Sequence, residues 1–485
     1  MNHTLPEQAG IVIVGAGMVG LEVAAELERR GVHDVLLLEA GPARDLVHVN
    51  AAHSPDEALR MWLDPAEDPH FWQPWTSACA PHYTGVSGLR RRLGGRSLYW
   101  HGVILPIESW AMHGHWPAPV IHDLTVAWED GPSLLERTAR DLDRWAAGTG
   151  EADQGPEKLV IGDFSYTRTP QAVRAVATDE ASPRWEAYTP LAHWETAPDT
   201  VVPDTMALNV EVDDGHVTGV RVRCADGTVR HIRTRTVVLA AGTTESTRIV
   251  AQSLGGPERF GGLVDHLAQG FVVALRPESA PPDLLAAADA NAFFCAAADS
   301  GTRANQFVRL YRNSTGAVVL DTWLMGEQLA DEAGYLDISP SDSPDEPWQV
   351  EVNAALSGPD RTALTAQRNA LQRFWAAVLP SAAPLRFPDF DSAERILEHV
   401  LPRIDTLAPD ELPITWTRPL GTEYHEAGTL PFGSRLTDDQ ELRDLPGVHL
   451  AGAAVFPRSG AANPSLVCLA LARRLAAELA RGATP

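Results

Sequence analysis

The chain opens on Gly10-Ile11-Val12-Ile13-Val14, followed at once by Gly15-Ala16-Gly17-Met18-Val19-Gly20. No other feature constrains the fold as much. A short β-branched apolar run without polar alternation reads as a strand buried on both faces. Val19, Val23, Ala24 and Leu27 then recur at helical spacing, and Arg29-Arg30-Gly31 puts basic residues and a glycine at the helix end. A second apolar run, Val35-Leu36-Leu37-Leu38, ends in Glu39. Together these make one βαβ unit. Gly15 permits the tight turn, Gly17 lets a pyrophosphate approach the free N–H groups at the helix start, and Gly20 lets helix and strand pack closely. Glu39 stands near the place where an acid takes ribose hydroxyls, which disfavours a 2′-phosphate and hence NADP. The motif predicts dinucleotide binding and leaves FAD and NAD both open. The plain alternative is a tight βα turn with an incidental glutamate.

Composition narrows the classes. With 44% hydrophobic and 21% charged residues the chain has enough apolar content for a real core. A net charge of −25 repels phosphate backbones, so no nucleic-acid partner is expected. Cys79, Cys224, Cys295 and Cys468 are far apart and form no C-x-x-C pair, so neither a disulfide framework nor a cysteine metal site is expected. No apolar run is long enough to span a bilayer, and the first strand leaves no room for a signal peptide, so a cytoplasmic location is expected. His113-Gly114-His115 has no nearby carboxylate and reads as a loop rather than a metal site. No phosphate-loop lysine motif and no Gly-x-Ser-x-Gly elbow occurs, so neither ATP hydrolysis nor serine hydrolysis is supported.

The middle of the chain reads differently from the start. Residues 208–239 read as short strands joined at Asp213-Asp214-Gly215 and Asp226-Gly227, a β-meander. Its last strand, Thr236-Val237-Val238-Leu239, runs into Ala240-Ala241-Gly242, and residues 243–253 read as helix. Residues 277–300 are rich in Ala and Pro, and 339–348 read as an exposed loop. Residues 359–379 form an amphipathic helix with Leu364, Leu371, Phe374, Trp375 and Val378 on one side. The C-terminus repeats the opening logic: strand Val448-His449-Leu450, small residues Ala451-Gly452-Ala453-Ala454, then an apolar helix from Pro464. A nucleotide domain interrupted by a meander and closed by the last strand and helix favours a flavoprotein over an NAD enzyme built from successive βαβ units.

These segments resemble, from end to end, the glucose–methanol–choline (GMC) oxidoreductase family. Gly15, Gly17, Gly20 and Leu38-Glu39-Ala40-Gly41 match its start. Leu93-Gly94-Gly95-Arg96-Ser97-Leu98-Tyr99-Trp100 resembles its Gly-Gly loop along the flavin, and His115-Trp116-Pro117 its Trp-Pro step. Ala240-Ala241-Gly242 through Arg248 resembles the segment near the adenosine half, followed by the Asp265-His266 pair. Tyr424-His425-Glu426-Ala427-Gly428-Thr429 resembles the loop bearing the catalytic histidine, and Asn463-Pro464-Ser465 the start of the final helix against the flavin pyrimidine. The pairing is similar to the sugar- and polyol-oxidising branch with a His–Asn pair.

The resemblance implies an α/β fold: a discontinuous Rossmann-like FAD-binding domain from 1–105, 205–265 and 445–485, and an α+β substrate domain on an antiparallel sheet from 106–204 and 266–444. It implies FAD as cofactor, with Gly15, Gly17, Gly20, Glu39, Gly94, Gly95, Ser97, Trp100, Gly242, Gly452, Pro464 and Ser465 in its site. Tyr99 stands where covalent members carry the flavin-linked histidine, so non-covalent FAD is expected; His101, two residues on, is the other residue considered for that link. Trp100 is read either against the flavin or as a core anchor of its loop. The implied reaction takes a hydride from the carbon of a primary or secondary alcohol, the implied substrates being a sugar, polyol or glycosylated metabolite, with oxygen or another carrier as final acceptor. His425 is the expected base, since an imidazole titrates near working pH, and Asn463 the group that holds the substrate oxygen. Asn463 followed by Pro464 also reads as an N-cap and first helical residue, and the two roles are compatible. The family fold also hosts a non-redox lyase with structural FAD, and a non-catalytic flavin-binding protein is the other alternative.

Overall fold

The computed structural model describes residues 5–147, 155–177, 184–194, 196, 198, 200–299 and 301–483; residues 1–4 and 484–485 of the expected outer segments lie outside these. The opening run forms the strand Ile11–Val14 at the centre of a five-stranded parallel sheet. Its neighbours are Val35–Leu38 and Thr236–Leu239, with Val201–Val202 and Val448–Leu450 at the edges. The alternation of its side chains builds two cores. Ile11 and Ile13 pack with Leu21 and Leu27 of the helix Met18–Arg29 and with Leu475 of the C-terminal helix Ser465–Ala483. Val12 and Val14 face the other way, with Ile249 and Val250 of the helix Thr243–Leu254 and the meander residues Val210 and Val220. A run with no polar position was legible as a strand because both faces are covered.

The first and last helices are also joined by charge. Arg473 donates to Glu22 at 2.6 Å with both side chains buried, and Tyr188 and His193 add contacts to the same carboxylate. Burial alone would raise the Glu22 pKa, but His193 and Arg473 hold it at about 2.

The predicted meander is present as Thr205–Asp213, His216–Cys224 and Val229–Arg233, antiparallel throughout, but its expected last strand, Thr236–Leu239, leaves it for the parallel sheet. Beyond it stands a seven-stranded antiparallel sheet in the order Ile414–Thr417, His266–Leu275, Val318–Glu327, Ala304–Arg312, Phe293–Ala296, Phe164–Arg168, Lys158–Ile161. One face is covered by the helix Gly358–Val378, whose Leu371, Phe374, Trp375 and Val378 pack on Phe271 and Leu320. Ser357 and Asp360 form a reciprocal cap at its start, which explains why this amphipathic stretch begins where it does. The other face carries His266, Met325, Phe307 and Glu327. The fold is therefore α/β with a Rossmann-like sheet and a separate antiparallel sheet backed by helices.

Three features depart from the sequence reading. Val201–Val202 joins the parallel sheet, although the boundary at 205 puts it in the other segment. Two residues are too few to carry a periodicity. The Ala- and Pro-rich stretch contains the helix Pro282–Asp289 and the strand Phe293–Ala296. A four-stranded sheet of Glu258–Gly261, Tyr335–Ser339, Gln349–Asn353 and Thr76–Ser77 draws strands from both sides of the expected domain division.

Candidate active site

The glycine loop has the geometry its sequence requires. Gly15 has φ of +99°, and a Cβ on Gly20 would lie 1.9 Å from the Gly15 carbonyl oxygen. Gly20→Ala is therefore expected to push the helix off the strand and to abolish FAD retention, read as loss of flavin absorbance in the purified protein. Full FAD occupancy in that variant would contradict the packing.

Whether this loop fits FAD is tested by the space around it. A Cβ on Gly17 would meet nothing within 4 Å, and Gly17 caps the helix with no side-chain hydrogen bond. The helix start thus offers its N–H groups to open space, as a pyrophosphate needs. Glu39 ends the second strand beside it, accepting from the Ala16 N–H at 3.1 Å and the Gly41 N–H at 2.7 Å. Burial pushes its carboxyl up to about 7. The Gly94 N–H donates to the Ala16 carbonyl at 2.8 Å, and a Cβ on Gly95 would come 3.3 Å from Gly17 Cα. Gly94 and Gly95 both hold positive φ, which favours glycine where the two loops approach this closely. Gly242 and Gly452, with φ of +84° and +108°, start the turns after the neighbouring strands. The residues present fit FAD.

Other expected cofactor residues have structural contacts of their own. The Ser97 hydroxyl bonds the Gly94 carbonyl at 2.7 Å and Thr189 at 2.8 Å. The Trp100 indole N–H donates to the Tyr188 carbonyl at 2.7 Å, so this ring anchors its loop. The Tyr99 hydroxyl donates to Asp68 at 3.0 Å and accepts from Arg92 at 3.3 Å, inside a buried polar cluster. His101 is exposed, with its ring 5.4 Å from Trp62 and 5.7 Å from Trp185.

His425 lies on a loop tied to three elements. Val264 and Ala427 pair as an antiparallel bridge, which sets Asp265 and His266 beside it. Asp265 accepts the main-chain N–H groups of Gly421 at 2.6 Å, Glu423 at 3.3 Å and His425 at 3.1 Å. Burial pushes the Asp265 carboxyl up to about 7, while hydrogen bonds from backbone N–H groups oppose this by favouring the charged form. Tyr424 is held at φ of +60°, a conformation that costs a non-glycine residue on the order of 1–3 kcal/mol. Its hydroxyl donates to the Val86 carbonyl at 3.1 Å, and the Arg96 guanidinium lies 5.0 Å over its ring. Arg96, within the Gly-Gly loop, makes a two-pronged pair with Glu426 at 2.6 and 2.9 Å and donates to the Tyr424 carbonyl at 3.2 Å. The Gly-Gly loop and the His425 loop are thus one clamped unit.

The His425 ring is half-buried and meets His266, Nδ1 to Nδ1, at 2.7 Å. Burial, then His266, Arg96 and Arg418, lower the His425 pKa well below the usual imidazole value. His266 in turn bonds the Gly460 carbonyl at 3.0 Å. The segment leading to Asn463 is held by two carboxylates as well. Glu327 accepts the Gly460 N–H at 3.1 Å and pairs with Arg458, while Glu108 accepts the Ala461 N–H at 2.9 Å.

Asn463 is not the helix cap that its sequence suggested. The helix begins at Ser465, the Pro464 carbonyl takes the Cys468 N–H at 2.9 Å, and Asn463 Oδ1 is buried with no hydrogen-bond partner. A buried acceptor left unpaired costs roughly 1–3 kcal/mol, so this atom points to a missing donor. Sequence reasoning assigned no role to His266, Arg96, Glu426, Glu108 or Glu327. The Asp265-His266 pair and Arg96 stood inside recognised motifs. Glu108 and Glu327 carry no sequence signal, because their partners, backbone and side-chain groups alike, lie far along the chain.

Residues 330–472, which include the His425 loop and Asn463, match the family model described as GMC oxidoreductase. The fold is similar to pyridoxine 4-oxidase from Mesorbium loti, with a TM-score of 0.61 and 18% identity over 97% of this chain and 99% of that one. It is also similar to formate oxidase from Aspergillus oryzae RIB40, with a TM-score of 0.64 and 14% identity over 99% of each chain. A search of curated protein sequences gives no match. Among the described residues no helix is long and apolar enough to cross a membrane. The C-terminal segment is thus similar to GMC oxidoreductases, and the whole-length fold is that shared by these two solved oxidase structures.

Proposed function

We propose that this protein oxidises the carbinol carbon of a small-molecule alcohol to a carbonyl, with His425 as the base and Asn463 holding the substrate oxygen. The observations that carry the reading are the clamped, half-buried His425 imidazole and, on the segment that His266 ties to it through Gly460, an Asn463 amide whose buried oxygen has no partner. FAD, when bound, supplies an acceptor for the hydride. Gly15, Gly17, Gly20 and Glu39 would hold its pyrophosphate and ribose, Gly242 and Gly452 would flank it, and the Gly94–Trp100 loop and the Pro464-Ser465 turn would lie along its ring. The proposed division is an FAD lobe from 1–105, 205–265 and 445–485, joined in its sheet by Val201–Val202, and a substrate lobe from the remainder.

The chain's own part is proton handling and placement. His425, neutral at working pH, takes the hydroxyl proton as the C–H bond breaks. The Asn463 amide N–H₂ can donate to the developing alkoxide. Two clamped loops keep both groups in register, which turns orientation into rate. The names of the similar structures, both oxidases, favour oxygen as final acceptor. A sugar or polyol substrate rests on the sequence resemblance alone.

The test is an anaerobic screen of primary and secondary alcohols, sugars and aromatic alcohols against the FAD-loaded protein. Bleaching of the flavin with carbonyl formation supports the reading, and readmitted air separates oxygen from another acceptor. Persistence of colour with every alcohol, together with cleavage of a cyanohydrin, would favour the lyase alternative.

The histidine also sets a pH dependence. A base with a lowered pKa stays unprotonated through the ordinary imidazole value of about 6.5. The groups facing it are His266, Arg96, Arg418 and Asp265, with Glu423 and Glu426 behind the arginines. The rate of flavin reduction is therefore expected to stay level as pH falls through 6.5 and to drop only in stronger acid. Stopped-flow reduction across pH checks this, and an acid limb centred above about 6.5 would contradict it.

A further inference from the structure

We propose that His266 is a positioning residue that fixes the tautomer of His425, so that Nε2 of His425 presents the lone pair to the substrate hydroxyl. This rests on the reading of His425 as the base. The assignment starts at a group with no freedom. The Gly460 carbonyl can only accept, so His266 Nε2, 3.0 Å away, carries the hydrogen. His266 is 2% exposed, and burial pushes its pKa down to about 4, so it is neutral at pH 7. A neutral imidazole has one N–H, and its Nδ1 is therefore an acceptor.

His425 Nδ1 faces that acceptor at 2.7 Å and must donate. His425 is itself held neutral, so its one hydrogen is spent there and Nε2 is left bare. The hydrogen bonds run from His425 to His266 to Gly460 and leave a basic nitrogen at the open end. The rings cross at 81° with centroids 4.8 Å apart, and among the described residues no other side chain hydrogen-bonds either ring. The charged neighbours are committed elsewhere: Arg96 to Glu426, Arg418 to Glu398 and Glu423, and Asp265 to backbone N–H groups. When His425 takes the hydroxyl proton at Nε2, the Nδ1–H bond to His266 persists and the imidazolium stays paired. The same His266 fixes Gly460, three residues before Asn463 in the chain, so one buried ring holds both halves of the proposed pair in place.

The experiment is ¹⁵N NMR of the histidine-labelled, FAD-loaded protein, with the His425 signals identified by their loss in His425→Ala. The expected wild-type spectrum shows His425 protonated at Nδ1 and unprotonated at Nε2. His266→Ala is expected to mix or invert that pattern. His266→Gln should restore it, because an amide offers N–H to Gly460 and oxygen to His425. Anaerobic flavin reduction should fall by roughly 10- to 100-fold in His266→Ala and largely recover in His266→Gln. A wild-type His425 protonated at Nε2 would overturn the proposal, as would an unchanged tautomer in a folded, FAD-loaded His266→Ala protein. The wild-type spectrum decides even if the variants do not fold. The tautomer is read without turnover, so a protein inert to alcohols but bare at Nε2 would sink the oxidation reading and leave standing the assignment that His266 fixes the His425 tautomer.

Discussion

His425→Ala is expected to give a yellow protein that alcohols no longer bleach. The substitution removes the group proposed to take the hydroxyl proton, and positioned acid–base groups contribute about 10²- to 10⁴-fold to rate. It removes no contact to the glycine cradle, so FAD content should be unchanged. The His425 main-chain N–H, which binds Asp265, is kept by alanine, so the loop should hold its course. The checks are flavin content, thermal unfolding and anaerobic stopped-flow reduction. Loss of FAD along with activity would place His425 among structural residues. Unchanged reduction would show that His425 is not the base, whereas no reduction of either protein by any alcohol would support the non-catalytic flavin-binding alternative.

Glu426→Ala is expected to have the largest effect on stability. Its side chain is 5% exposed and that of Arg96 27%, and they share two hydrogen bonds. Burial disfavours the Arg96 charge, and Glu426 more than offsets this, so its pKa is raised. Removing one partner of a buried pair strands the other, at a cost of about 3–5 kcal/mol. The lower end applies, near 3 kcal/mol, because Arg96 keeps the Gly88 and Tyr424 carbonyls as acceptors. This pair also joins the Gly-Gly loop to the His425 loop, so FAD affinity should weaken in parallel. Glu426→Gln keeps an acceptor and should cost less. Urea unfolding of the FAD-loaded proteins measures the order, and an alanine variant as stable as wild type would contradict it.

The nucleotide half was legible because its signals are local. Ile11–Val14 and Val35–Leu38 are unbroken apolar runs, and the Gly15–Gly20 spacing has one backbone solution. The helix at Gly358–Val378 was legible from its apolar stripe. Val201–Val202 and Thr76–Ser77 were not, because two-residue strands are fixed by their partners rather than by their own pattern. The same divide runs through the site. His425 stood in a recognisable loop, but its contact with His266 spans 159 positions and depends on the Val264–Ala427 bridge. Asn463 illustrates the opposite error. Asn-Pro is a sound capping signal, yet the helix starts later, at Ser465, and leaves the amide oxygen without a partner.

The most direct test of the account is flavin reduction by an alcohol carrying deuterium on its carbinol carbon, followed without oxygen. Hydride transfer from that carbon predicts a clearly slower bleach than with the unlabelled alcohol, and the effect should persist at pH values where His425 is fully unprotonated. Equal rates for the two alcohols, or no bleaching by any alcohol in a protein full of FAD, would contradict it.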